Sequence, residues 1–142
     1  MGWDAGFRLG DRSTQRNLSE AGRAQAARVG EAFRGRGVRV DGVLSSQYSR
    51  CLDTANLAFG RAEQEAALNS APEDPAKRRE QTAAARKLIR PPPPGGNLVL
   101  VTHSTNVHEL TGLTIGMGEM LILTPDPSSA PGFKVSARLD GK

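Results

Sequence analysis

His103 and His108 are the only imidazoles in this 142-residue sequence, and Cys51 is its one thiol. One cysteine excludes an internal disulfide framework and a thiolate zinc cluster. On a helix, a spacing of five turns His103 and His108 roughly 140° apart, so they do not serve one metal ion. No metal and no cofactor are expected. The chemistry left is chemistry at an anion. His103 follows Leu98-Val99-Leu100-Val101-Thr102 and precedes Ser104-Thr105, while Arg50 lies four residues beyond Val43-Leu44-Ser45-Ser46. In open α/β sheets, ligands sit beyond the carboxyl ends of parallel strands. If these two strands are parallel, Arg50 and His103 converge on one rim. A guanidinium fork beside free N–H groups at two helix starts makes an anion site, with phosphate as its natural occupant.

The elements that must position these residues are legible in outline. Ser19 reads as an N-cap, and Ala26, Val29, Gly30 and Phe33 form one helical face that Gly35 and Gly37 stop. Val40 to Ser45 reads as a buried strand. Tyr48, Leu52, Ala55 and Phe59 predict a helix after Ser46 that ends at Gly60. Residues 61–71 carry no clear pattern. Asp74-Pro75 is a cap followed by a first-turn proline, predicting a polar helix to about Arg90. Pro91 to Gly96 is a stiff exposed connector. Asn97 to Thr102 reads as a central strand covered on both faces, followed by a helix over Ser104 to Thr111. Met120 to Thr124 and Phe133 to Leu139 predict an antiparallel hairpin around the turn Pro125 to Gly132. Strands alternating with helices argue for an α/β layered fold in a single domain over 1–142, with 1–18 an irregular start.

Composition narrows the classes of function. With 37% apolar and 24% charged residues the chain is globular, and its length lets it bury roughly 70% of its unfolded surface. Nineteen basic against fifteen acidic residues favour anionic partners. A nucleic-acid-binding module is a weak alternative: aromatics are 4%, leaving few rings to stack on bases, and no recognition motif is present. No apolar run approaches the roughly 18 residues of a membrane span. Met1 to Gly10 carries no export signal, so the sequence as written reads as cytoplasmic.

Three blocks resemble the histidine phosphatase superfamily, the phosphoglycerate mutase-like proteins. Asn17-Leu18-Ser19-Glu20-Ala21-Gly22-Arg23-Ala24-Gln25-Ala26 looks like the family's Leu-Thr/Ser-x-x-Gly-x-x-Gln-Ala helix start. Ser45-Ser46-Gln47-Tyr48-Ser49-Arg50-Cys51-Leu52-Asp53-Thr54-Ala55 resembles its Ser-Ser-x-x-x-Arg-x-x-x-Thr-Ala signature. Val99-Leu100-Val101-Thr102-His103-Ser104 looks like the second-histidine block. The resemblance implies a three-layer sheet flanked by helices and phosphomonoester hydrolysis through a phosphohistidine, with no metal. Arg50 then matches the arginine that clamps the phosphate oxygens. His103 matches the second histidine, beside the nucleophile, and the Ser104 N–H matches a further phosphate donor. The partner implied is a phosphorylated small molecule or phosphate itself.

The sequence also departs from the family. It has no Arg-His pair, no histidine before His103, and no apolar run for a first strand. The phospho-accepting histidine is therefore missing from this chain, and the first strand is missing or replaced. Three explanations follow: a fragment or wrong start, a member that only binds phospholigands or partners, or weak activity through His103 or another group. An unpaired sheet edge predicts self-association. The remaining candidates carry plainer readings. Ser45 and Ser46 are expected to cap the following helix, Arg12 and Arg16 to be solvated, Cys51 to pack, and His108 to lie on a helix surface. Glu73 and Asp74 lie near the family's usual leaving-group acid, but their spacing singles out neither.

Overall fold

The structure is a computed structural model that describes residues 8–89, 96–116, 119–126, 128–129 and 132–139. The connector call over Pro91 to Gly96 lies outside these residues except for Gly96, as do Met1 to Phe7 at the chain start. Nine elements follow in chain order: α1 (Glu20–Gly35), β1 (Gly42–Ser45), α2 (Ser49–Phe59), β2 (Glu63–Gln64), α3 (Pro75–Arg86), β3 (Leu98–Val101), α4 (Ser104–Thr111), β4 (Met120–Pro125) and β5 (Phe133–Leu139).

Local chemistry explains most boundaries. The Ser19 hydroxyl accepts from the Gly22 N–H and caps α1. Asp74 accepts from the Lys77 N–H ahead of Pro75 and caps α3. Gly60 ends α2 with φ of 75°, a left-handed conformation that suits glycine. Three predicted ranges shift. The first strand begins at Gly42 rather than Val40, because its ladder with β3 starts at Leu98. Helix α3 ends at Arg86 rather than near Arg90. The unpatterned stretch 61–71 holds β2 and a 3-10 turn, Ala66–Leu68.

β1 is the middle strand of a three-stranded parallel sheet ordered β2-β1-β3. Leu44 pairs with Leu100 and Gly42 with Leu98, so Leu44, Leu98 and Leu100 share one face. There they meet Leu68, Ala85 of α3, Leu88 and Leu110 of α4. On the other face Val43 is buried, and α2 packs on the sheet with α1 against it. The result is a parallel sheet with helices on both sides. α1 crosses α2 at Gly30, where a Cβ would overlap the carbonyl group of Ala58. β4 and β5 pair antiparallel, as their alternation predicts, but form a sheet of their own. Among the described residues, β3 pairs only with β1, and all four of its residues are half-buried. A central strand covered on both faces, as expected for Leu98-Val99-Leu100-Val101, is therefore not what is found. No described helix is long and apolar enough to cross a membrane.

Candidate functional site

Parallel pairing of β1 and β3 in register brings their carboxyl ends side by side. The chain leaves β1 through Ser46 to Tyr48 and enters α2, placing Arg50 in its first turn. It leaves β3 through Thr102 and enters α4 at His103. The His103 carbonyl accepts from the Asn106 and Val107 N–H groups at 3.0 and 3.2 Å, starting the helix with main chain alone. Its ring turns inward and is 7% exposed. An Arg50 Nη2 donates to His103 Nδ1 at 3.1 Å, so the two residues read from distant segments touch. Tyr48 packs edge-on against the imidazole with centroids 4.5 Å apart, and the Arg50 guanidinium lies 5.2 Å from the Tyr48 ring centre.

The other side of the imidazole is polar and enclosed. His103 Nε2 lies 2.8 Å from Ser46 Oγ, and Ser46 is fully buried. Ser46 donates to Asn69 Oδ1 at 3.0 Å and accepts from the Tyr48 N–H at 3.2 Å. Asn69 Oδ1 also accepts from the Gln47 N–H at 2.7 Å. The turn bearing Asn69 is itself tied down. Asn106, 2% exposed, donates to the carbonyls of Leu68 and Asn69, and Gln81 donates to the Asn69 carbonyl. Burial first, and the Arg50 charge second, lower the His103 pKa to about 4, so the ring is neutral at pH 7.

Several expectations need correction. Ser46 does not cap α2; Tyr48 stands at its N-cap with no side-chain bond, and Ser46 is committed to the imidazole. Ser45 is spent on the carbonyl of Ser46. The N–H groups at the start of α2 are not all free: Tyr48 gives its own to Ser46, and Ser49 to Gln15 Oε1 at 2.7 Å. Arg12 is exposed as expected, but it pairs with Asp53, which it shares with Arg23. That pairing holds the Asp53 carboxyl below the usual carboxylate range.

The other assignments are simpler. Arg16, Ser104 and His108 are exposed, the last two on α4. Cys51 is buried with its thiol pushed up by burial, and its Sγ lies 3.8 Å from His103 Nε2. Asp74 is used as a helix cap, and Glu73 is exposed. Among the described residues no group of three metal-ligating side chains gathers. Asn69, Tyr48 and Asn106 were not anticipated. Asn69 sits in the unpatterned stretch, and only a long-range fold brings it to Ser46.

Comparison with known proteins agrees with this architecture. Residues 7–70 match the model of the histidine phosphatase superfamily, branch 1. A phosphoglycerate mutase from Candida albicans is 43% identical over 47 residues, 33% of this chain. The matched stretch spans 19% of that mutase's length. A protein assigned as the phosphohistidine phosphatase SixA of Agrobacterium tumefaciens superposes with a TM-score of 0.61 at 20% identity, over 94% of this chain and 89% of that one. A SixA protein histidine phosphatase complexed with tungstate superposes at 0.60 and 20% identity, over 96% and 90%. At such identity these two structures speak to fold. Residues 7–70 are thus similar to the histidine phosphatase superfamily, and the whole chain has the fold of the SixA structures.

Proposed function

We propose that the Arg50–His103 pocket binds a phosphoryl group or an equivalent oxyanion, with the Ser104 N–H as a further donor, and that the protein is a histidine-phosphatase-type phosphomonoester hydrolase of weak or lost turnover. The observation that carries the reading is the 3.1 Å contact between the arginine and the imidazole at the shared rim of two parallel strands. A guanidinium offers paired N–H donors to phosphate oxygens, and a helix start adds N–H groups. The tungstate held by a SixA of the same fold supports an oxyanion as the ligand.

The weak turnover follows from the residue inventory. The family resemblance implies a nucleophilic histidine besides the ring that assists it, with the phosphoryl group passing through a covalent phosphohistidine. This sequence has two histidines, and His108 is exposed on α4. A protein that binds phospholigands without hydrolysing them is the reading this inventory favours next.

Titrating tungstate or sulfate by calorimetry tests the binding. Arg50→Ala is expected to weaken it at least ten-fold, as loss of a charge-assisted bond of roughly 1.5–3 kcal/mol implies. Unchanged affinity in the variant overturns the assignment. Turnover of p-nitrophenyl phosphate is expected far below an ordinary enzymatic rate of about 10 per second.

The same reading extends to partners. A cleft of about 600 Å³ separates β3 from β4, lined by Val99, Val101, Met120 and Leu121 among others, with Arg50 and His103 on its wall. We propose that a second copy of this chain adds a strand there, against the β3 edge. Like edges pair about a two-fold axis, which is the commonest way for a chain to meet itself.

A further inference from the structure

We propose that Ser46 and Asn69 are positioning residues that hold His103 in a single tautomer, with the proton on Nε2 and a bare Nδ1 turned to the pocket. The argument is one of donors and acceptors. Arg50 can only donate, and its Nη2 lies 3.1 Å from Nδ1, so Nδ1 accepts. A neutral imidazole then carries its one proton on Nε2, which faces Ser46 Oγ at 2.8 Å.

Ser46 is able to accept there because its own proton is claimed elsewhere. The Asn69 amide has a fixed orientation: its Oδ1 meets the Gln47 N–H at 2.7 Å, which has only a proton to offer, and its Nδ2 donates to Gln47 Oε1 at 3.0 Å. Asn69 Oδ1 therefore takes the Ser46 hydroxyl proton at 3.0 Å. The two Ser46 lone pairs receive the Tyr48 N–H and the His103 Nε2–H. One donor and two acceptor sites are the capacity of the hydroxyl, and the Cys51 thiol beside Ser46 and Nε2 adds only a weak sulfur contact.

Every bond from the imidazole to Asn69 then runs in one direction. The opposite tautomer would point Nδ1–H at a guanidinium N–H and force Ser46 to abandon Asn69. Water offers no relief, because Ser46 is fully buried and His103 nearly so. Asn69 keeps its place because Asn106 and Gln81 each donate to its carbonyl at 2.6 Å.

The consequence for ligand binding rests on the proposed oxyanion site: a bare Nδ1 offers the anion no proton but accepts from Arg50, so Asn69, remote from the anion, helps to hold the guanidinium that meets it. The tautomer itself is tested without any anion. Nitrogen-15 spectra of the imidazole rings are recorded on the full chain near pH 7.5, with His108→Gln assigning the His103 signals. The expected wild-type pattern is a protonated Nε2 and an unprotonated Nδ1. Asn69→Ala frees the Ser46 proton to bond Nε2, leaving Arg50 alone to oppose the other tautomer, so the His103 signals are expected to move toward a mixed tautomer, with sulfate affinity falling about five-fold. Asn69→Asp keeps the accepting oxygens and is expected to restore the wild-type pattern. A wild-type proton on Nδ1, or ring signals in folded Asn69→Ala identical to wild type, overturns the proposal. Should Asn69→Ala fail to fold, Ser46→Ala removes the accepting oxygen directly, and unchanged ring signals there overturn it equally. Loss of sulfate binding in Arg50→Ala is read separately, so failure of the tautomer and failure of the anion site remain distinct results.

Discussion

His103 enters the pocket as a neutral ring because its surroundings penalise the imidazolium: enclosure removes water, and Arg50 adds a like charge. The linkage to stability has a definite sign. A histidine released by unfolding titrates near 6.5, while the folded one titrates near 4. Between those values the unfolded chain binds the extra proton, so this contribution is complete above about pH 6.5 and is lost as pH falls toward 4. The loss amounts to roughly 3 kcal/mol at its acid limit. Urea midpoints measured from pH 7.5 to 4.5 are expected to fall in wild type and to fall less in His103→Gln. Equal slopes in the two proteins would remove this histidine as the cause. At this scale the sequence carried part of the answer. Arg50 and His103 could be paired by reading strand ends, because each lies immediately downstream of an apolar run. Ser46 looked like a helix cap, since a serine before a helix usually is one, and only the ring opposite it shows otherwise. Asn69 had no legible role at all: its partners stand 22 and 23 positions away.

Elements meet here through small residues as much as through large ones. α1 and α2 cross where Gly30 faces the Ala58 carbonyl. In an isolated helix Gly→Ala would stabilise by about 1 kcal/mol. At this crossing the added methyl meets backbone, which cannot rotate aside. Gly30→Ala is therefore expected to destabilise by about 1–3 kcal/mol, seen as a lower urea midpoint with an unchanged slope. A rise in the midpoint would show that the helices separate at little cost. The helices themselves were readable from different signals: the Ser19 cap and an apolar face for α1, an apolar face ending at Gly60 for α2, and the Asp74 cap with Pro75 for α3. β2 was not, because Glu63 and Gln64 are exposed and polar, and their extended form comes from the ladder with Leu44 and Ser45. The Pro125 to Gly132 turn was legible from composition; within it the Asp126 N–H reaches the Gly132 carbonyl at 2.8 Å.

Taken whole, the molecule has a parallel sheet whose last strand is apolar and, among the described residues, carries one partner, with a separate hairpin across a cleft. An edge of Leu-Val-Leu-Val carries neither of two usual protections against pairing, a charge or a proline. Light scattering over a concentration series is expected to show a dimer, and Val99→Lys on that strand is expected to favour the monomer. A monomer at every concentration in wild type would end the proposal of strand addition. One detail of the chain path reaches further than its size. At position 103 the main chain alone begins α4, while the side chain turns away from that task. Scaffold and reagent are thereby separable: another side chain at this position would leave the helix start standing, so a descendant could give up or exchange its chemistry while inheriting the architecture intact.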